Sequence, residues 1–121
     1  MCRHLYQLGA FSLKINRRHV RDLARQRIER LFSLASQAVK SDAGLANRYV
    51  GLALKISMRT RVRIPRELKR SVCRKCHAYL YPGITSRVRV HASRSPHVSV
   101  TCLSCGAVRR YLMERDPGFP A

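Results

Sequence analysis

Acidic residues are scarce in this chain of 121 residues. Only 6 Asp and Glu stand against 25 Lys and Arg, which gives a formal net charge of +19 at pH 7. A positive field of this size opposes folding and self-association unless a polyanion neutralises it. We therefore expect the chain to bind a partner of negative charge.

Long apolar runs are missing as well. The N-terminal sequence MCRHLYQLGAFSLKINRR lacks the apolar core of a signal peptide, and no stretch approaches the roughly 20 apolar residues of a membrane-spanning helix. We therefore expect a cytosolic protein. Because a reducing cytosol keeps thiols free, metal binding explains the five cysteines better than a disulfide framework does.

The common residue combinations of enzyme active sites are also absent from the sequence. It has no paired carboxylates with a plausible shared location, no glycine-rich phosphate loop and no Ser/His/Asp arrangement. A metal bound entirely by protein sulfur has no open position for water or substrate. We therefore expect this protein to bind a partner rather than to catalyse a reaction.

Two amphipathic helices are predicted in the N-terminal half. Between Arg17 and Lys40 the apolar residues follow the i, i+3, i+4 spacing of one helical face. They are Val20, Leu23, Ala24, Ile28, Leu31, Leu34, Ala35 and Ala38. After a polar break at 41–44, a second helix is predicted from Leu45 to about Thr60, ending before Pro65. Its apolar stripe consists of Leu45, Tyr49, Leu52, Ala53 and Ile56. We expect an antiparallel hairpin with apolar surface left over for a protein partner.

The pattern changes to a strand period after Pro65. Residues 85–91 and 97–101 alternate apolar and polar side chains, 93–96 reads as a hairpin loop, and 107–113 gives a third strand. The predicted organisation is a helical hairpin at 17–62, a basic linker at 63–70 and a ribbon at 71–113. Residues 1–16 and 114–121 show no sustained period, and we expect them to be mobile unless a partner orders them.

Four cysteines form two C-x-x-C pairs, Cys73 with Cys76 and Cys102 with Cys105. The segment between the pairs predicts a hairpin, so folding would bring four thiolates together. Four thiolates suit one structural, tetrahedral Zn²⁺. We expect folding of residues 70–113 to require that zinc, because so short a segment buries little apolar surface.

Two other interpretations of the cysteines fit the sequence less well. Cys73, Cys76 and His77 also match the c-type haem attachment pattern, but the chain shows neither an apolar haem pocket nor an export signal. A thioredoxin-like redox role would need a βαβ surround, which the pattern does not predict. We interpret His77 as an exposed side chain rather than a fifth ligand, and Cys2 as a free thiol.

Basic residues are densest just before and within the first cysteine pair. They are Arg59, Arg61, Arg63, Arg66, Lys69, Arg70, Arg74 and Lys75. These residues could simply form a solvated basic connector, which is the alternative to phosphate binding. However, a metal at the cysteines would fix the backbone of Arg74 and Lys75 and hold their charged ends in place for a phosphate. The strands add Arg87 and Arg89, predicted on the face opposite Val88 and Val90, together with Arg109 and Arg110.

RNA fits this basic surface better than DNA does. No segment resembles a recognition helix for the DNA major groove, and a rigid ribbon suits folded RNA. Tyr79, Tyr81 and Tyr111 lie among the cations and either stack on unpaired bases or pack in the core; the sequence does not choose between the two.

Residues 46–112 closely resemble the zinc-ribbon protein subunit of ribonuclease P, known in archaea as RNase P protein component 4. The resemblance is carried by RYVGLALKISMRTRVRIPRELKRSVCRKC at 48–76, YPGITSRVRV at 81–90 and VTCLSCGAVRRYL at 100–112. It implies a small α+β zinc protein of L shape, with two helices in one arm and a four-cysteine zinc ribbon of about three antiparallel strands in the other. The segment 1–16 and His77 depart from the family pattern.

The resemblance also implies a function and partners. The family assists a catalytic RNA that removes the 5′ leader from precursor tRNA, so the chain would be a non-catalytic subunit. Cys73, Cys76, Cys102 and Cys105 would bind zinc. Candidate contacts to the specificity domain of the RNA are Arg59, Arg61, Arg63, Lys69, Arg70, Arg74 and Lys75. Leu31, Leu34 and Ala38 would face RNase P protein component 1, an Sm-like barrel.

Two alternative functions remain open from the sequence. A ribosomal zinc-ribbon protein that binds rRNA would share the charge and the metal. A DNA-dependent transcription zinc ribbon would share the metal, and competition between duplex DNA and structured RNA at fixed salt would distinguish it.

Overall fold

The computed structural model of the protein describes residues 16–114. It contains three helices followed by three strands: α1 Arg17–Ala38, α2 Ala43–Thr60, α3 Arg66–Arg70, β1 Ser86–His91, β2 His97–Cys102 and β3 Val108–Leu112. The strands form one antiparallel sheet in the order β1-β2-β3. The predicted α+β class, with a helical pair followed by a three-stranded ribbon, is confirmed. The expectations for Cys2, the N-terminal segment and the C-terminal tail lie outside the described residues, apart from Asn16 and Glu114.

The helix ends are set by local capping bonds. The side chain of Asn16 accepts a hydrogen bond from the Arg18 amide at 3.1 Å. Asp42 Oδ1 accepts from the amides of Gly44 and Leu45 at 2.8 and 3.3 Å. Such caps satisfy amides that have no partner within the helix. Because Asp42 begins α2 just after α1 ends, the connection is short and the two long helices pack as a hairpin.

The helical core uses faces slightly different from those predicted. Its buried residues are Ala24, Ile28, Phe32, Ala35 and Val39 from the first helix and its C-cap, and Ala46, Val50 and Ala53 from α2. The predicted stripes were wrong in part, because Leu23, Leu45 and Leu52 are exposed. Leu34 is exposed too, at a position predicted to face a protein partner. The apolar arc of α1 is wider than α2 can cover, and the small alanines let the helices approach closely.

The ribbon is joined to the helices through the same core. Val62, Val72 and Tyr79 complete the helical cluster. The Tyr79 amide also donates to Asn47 Oδ1 of α2 at 2.9 Å. The segment 63–70, predicted to be a linker, contains the short helix α3, which starts after Pro65 and has Glu67 in its first turn and Lys69 and Arg70 in its last. This charge order suits a helix dipole.

The register of the sheet assigns its side chains to two faces. Residues directly opposite each other in an antiparallel pair share a face. Val88 pairs with Val100, which pairs with Arg109, and Val90 pairs with Val98, which pairs with Tyr111. We call the face bearing these six residues the valine face. Arg87, Arg89, His91, Ser99 and Arg110 lie on the opposite face, here called the arginine face.

The predicted alternation along β1 is confirmed, yet the valine face is not a sealed core. Val88 is 41% exposed and Val90 is 65% exposed. Within residues 16–114 no helix combines the length and the apolar character needed to cross a membrane.

Candidate metal centre and nucleic-acid interface

The two C-x-x-C pairs lie in turns of the same design. We call residues 73–78 the first knuckle and residues 102–107 the second knuckle. The Cys73 amide donates to the Ala78 carbonyl at 3.0 Å, and the Cys102 amide donates to the Ala107 carbonyl at 2.9 Å. The amides of His77 and Gly106 donate back to the carbonyls of Cys73 and Cys102 at 3.2 and 2.9 Å. His77 and Gly106 both have positive φ, at 56° and 74°.

The hairpin formed by β1 and β2 brings the knuckles together, as the sequence predicted. The Sγ atoms of Cys73 and Cys105 are 3.5 Å apart, and those of Cys76 and Cys102 are 3.6 Å apart. All four sulfur atoms lie within 4.8 Å of one another. Cys73 and Cys102 are buried and the other two are exposed. The four cysteines are therefore positioned to hold one metal ion.

The thiols of the first knuckle have opposite pKa shifts. Burial raises the pKa of Cys73, but the backbone amides of Cys76 and Lys75, with hydrogen bonds from neighbouring thiols, lower it overall to about 6. The Ala78 amide lowers the pKa of Cys76, whereas burial and the three other cysteines raise it to about 12. One thiolate forms readily, and its charge opposes the next ionisation. A bound cation removes this conflict, since metal ligation requires deprotonated thiols.

The basic residues predicted to bind RNA are almost all on the surface. Eleven of the twelve are exposed, and Arg109 is half-buried. Arg59 ends α2, Arg61 and Arg63 follow it, and Arg66, Lys69 and Arg70 lie in α3. Arg74 and Lys75 occupy the exposed positions of the first knuckle.

The basic residues of the sheet do not share one face. Arg87, Arg89 and Arg110 lie on the arginine face, whereas Arg109 lies on the valine face with Tyr111. The separation of Arg109 from Arg110 follows from the alternation of side chains along a strand.

The three tyrosines differ in what they offer a ligand. Tyr79 belongs to the helical core, and burial first, then the Tyr81 phenol, raises its pKa. Tyr81 packs partly against that core. The guanidinium carbons of Arg70 and Arg109 lie 5.0 and 5.4 Å from the centroid of the Tyr111 ring. Core packing therefore describes Tyr79, and a cation–π cluster describes Tyr111.

A stacked pair of histidines was not predicted from the sequence. The rings of His91 and His97 have centroids 4.8 Å apart and planes 19° apart. These residues are register partners at the loop end of the β1–β2 hairpin. Their placement on either side of the predicted loop at 93–96 was the signal that could have revealed the pair.

The residues predicted to face a protein partner lie beside the helical core. Leu34 is 38% exposed, while Leu31 and Ala38 pack partly against the core. Leu23 on α1 and Leu52 on α2 are exposed too. The hairpin therefore retains apolar surface that α1 and α2 do not cover for each other.

Comparison with known proteins identifies relatives across most of the chain. The family profile described as "RNAse P Rpr2/Rpp21/SNM1 subunit domain" matches residues 27–106. Ribonuclease P protein component 4 from Pyrococcus abyssi is 47% identical over 100 residues, covering 83% of this chain and 86% of that protein. The protein of the same name from Methanopyrus kandleri is 50% identical over 97 residues, covering 80% and 76%.

Solved structures match the fold as well as the sequence. A chain of the "cryo-EM structure of archaeal Ribonuclease P with mature tRNA" is 44% identical, with a TM-score of 0.69 over 75% of this chain and 77% of that one. The "Pfu Rpp21 structure and assignments" chain is 48% identical, with a TM-score of 0.60 over 74% and 99%. These relatives favour neither a ribosomal nor a transcription protein.

Proposed function

We propose that this chain, which belongs to the RNase P Rpr2/Rpp21/SNM1 subunit family, is a non-catalytic subunit that clamps the RNA of the RNase P ribonucleoprotein. The RNA performs the cleavage that removes the 5′ leader from precursor tRNA. The family match over residues 27–106 is the single observation that carries the proposal. The sulfur cluster and the exposed basic residues give it a physical basis.

Zinc is the metal that best fits the four cysteines. A tetrahedral site with Zn–S bonds of about 2.3 Å has sulfur atoms about 3.8 Å apart. The observed separations of 3.5 and 3.6 Å, with all four sulfurs inside 4.8 Å, agree with that geometry. Four sulfur ligands complete the coordination, so the ion would hold the two knuckles together and leave the chemistry to the RNA.

The basic surface from Arg59 to Lys75 is proposed to bind the specificity domain of the RNA and the complex with precursor tRNA. The first knuckle fixes the backbone of Arg74 and Lys75, so little conformational freedom is lost when they meet phosphates. Arg66 of α3 belongs to this surface, and the exposed arginines of the sheet, Arg87, Arg89 and Arg110, extend it. Guanidinium groups suit it because each donates two parallel hydrogen bonds to one phosphate.

The exposed apolar surface of the helical hairpin is proposed to bind RNase P protein component 1. Leu34 provides exposed area there, and Leu31 and Ala38 flank it. An uncovered apolar stripe on a helix is typical of a protein interface rather than of an RNA contact.

Reconstitution tests the proposed function directly. Cleavage of precursor tRNA by an archaeal RNase P RNA should be measured at low Mg²⁺ with the chain, with its barrel partner, with both and with neither. We expect the highest activity with both, because protein cations replace part of the Mg²⁺ that screens the RNA. A Cys73→Ser variant is the matched control and should give no stimulation. Equal activity with and without the wild-type chain would reject the function.

A further inference from the structure

Two arginines from distant parts of the chain meet on one aromatic ring. The guanidinium carbon of Arg70, in the last turn of α3, lies 5.0 Å from the centroid of Tyr111, and that of Arg109 lies 5.4 Å from it. We propose that Arg70 and Arg109 form a phosphate-binding subsite for the RNA backbone and that Tyr111 is the positioning residue that holds them. This proposal rests on the RNA-binding function proposed above.

The fold makes this meeting possible. Arg109 and Tyr111 are two residues apart on β3, so both project from the valine face. Arg70 reaches the same ring from the last turn of α3. Both cation-to-ring distances fall within the roughly 6 Å over which a guanidinium is attracted to an aromatic ring. The ring therefore ties the basic run before the first knuckle to the far strand of the sheet.

The cluster of Arg70, Arg109 and Tyr111 carries two positive charges, which favours an anion as its ligand. Two guanidinium groups share one ring, and within residues 16–114 neither forms an ion pair with a carboxylate. Arg70 is exposed and Arg109 is half-buried, so the pair leaves positive charge accessible to a ligand. A guanidinium only donates hydrogen bonds. The group that suits two neighbouring guanidinium groups is an acceptor with negative charge, such as a phosphate oxygen.

A groove beside the cluster gives an RNA strand access to it. The groove has a volume of about 310 Å³, and its lining includes Arg70, Tyr81, Ser86, Val88 and Val100. Of the three residues in the cluster, Arg70 lines the groove. Val100 is the register partner of Arg109, so the groove and Arg109 lie on the same face of the sheet. The ligand that fits is a single-stranded segment of RNA whose phosphate lies at the two arginines.

A double-mutant cycle tests whether Tyr111 positions Arg70. Affinity for an archaeal RNase P RNA should be measured for Arg70→Ala in the wild-type and in the Tyr111→Leu background. We expect Arg70→Ala to weaken binding about tenfold in the wild type and less than about threefold beside Tyr111→Leu, because the leucine no longer holds the guanidinium. Additive losses would overturn the proposal.

Two further measurements separate positioning from simple folding. Tyr111→Phe keeps the ring and should bind within about threefold of wild type; a loss as large as that of Tyr111→Leu would overturn the role of the ring. Tyr111→Leu should also lower the log–log salt slope of binding by about 0.7 to 0.9 for each phosphate that the arginines no longer neutralise. An unchanged slope, at unchanged metal content and melting temperature, would contradict the phosphate site.

Controls distinguish this proposal from the function on which it rests. Arg21→Ala, at an exposed position of α1, should combine additively with Tyr111→Leu. All binding should be repeated with a structured RNA of matched length and unrelated sequence. If the wild type shows no preference for the RNase P RNA, the proposed function fails, while coupling between Arg70 and Tyr111 is still measured on either RNA.

Discussion

The two knuckles share one backbone design but carry different residues on the outside. Corresponding amides and carbonyls make the same pair of hydrogen bonds in each, with lengths from 2.9 to 3.2 Å. Between its cysteines the first knuckle has Arg74 and Lys75, whereas the second has Leu103 and Ser104. The sulfur atoms and the turn thus determine the metal site, while the exposed positions are free to differ. Of the two knuckles, only the first presents charge between its cysteines.

The knuckles also differ in backbone strain. Gly106 adopts its φ of 74° without penalty, because glycine has no Cβ. His77 adopts a φ of 56° at the corresponding position, where a residue with a Cβ costs about 1–2 kcal/mol. The first knuckle therefore combines two adjacent cations with an unfavourable backbone conformation, so its geometry would depend more heavily on a bound metal than that of the second.

The largest expected effect tests whether the knuckles are equal as ligand donors. Cys73→Ser and Cys102→Ser should each abolish stoichiometric zinc and unfold the ribbon, because the four thiolates share one ion and zinc contributes roughly 10–16 kcal/mol in finger peptides. Far-ultraviolet circular dichroism should retain most of the helical signal, since α1 and α2 bury their own core. Metal analysis and thermal melting provide the measurements. Retention of metal by one variant would show that the knuckles are not equivalent.

An intermediate effect tests whether charge presentation belongs to the first knuckle alone. Replacing Arg74 and Lys75 by alanine should weaken RNA binding about tenfold or more and reduce the salt slope by about 0.7 to 0.9 per phosphate left without its cation. Replacing Leu103 and Ser104 by alanine is the matched control in the second knuckle and should change affinity less than about twofold. Equal losses from the two pairs would contradict the asymmetry.

The smallest expected effect tests the strain. His77→Gly should raise the free energy of unfolding of the metal-loaded protein by about 1 kcal/mol, because glycine has no Cβ and adopts the αL conformation without steric strain. Gly106→Ala should lower it by a similar amount. Among residues 16–114, no heavy atom outside Gly106 and its two chain neighbours lies within 4 Å of a Cβ placed at Gly106, so the loss would report conformation rather than a clash. Chemical denaturation provides both values, and a destabilised His77→Gly variant would show that the imidazole makes a stabilising contact.

The cysteine cluster could be predicted from spacing because its determinants are local. Two C-x-x-C turns and the alternating strands between them leave few ways to arrange four sulfurs. The helical faces were harder, since apolar residues occupy a wide arc of α1. The periodicity included Leu23, which is exposed, and omitted Phe32 and Val39, which packing against α2 buries.

Two other features could not be read from periodicity. Helix α3 is only five residues long, too short to show a repeat, although Pro65 and the order of charges from Glu67 to Arg70 are recognisable in retrospect. The contact of Arg70 with Tyr111 joins residues far apart in the chain. Only the tertiary fold brings α3 and β3 together, and no local pattern encodes that step.

The hydrogen bond from the Tyr79 amide to Asn47 links the half of the molecule that contains the four cysteines to the half made of helices. Because Val62 and Val72 fill the same boundary, the junction is a packed joint and not a loose hinge. A protein seated on the helices and a nucleic acid seated on the ribbon would be held at one fixed distance and angle. The chain would then fix the relative position and orientation of that protein and that nucleic acid, because the distance between its two binding surfaces does not change.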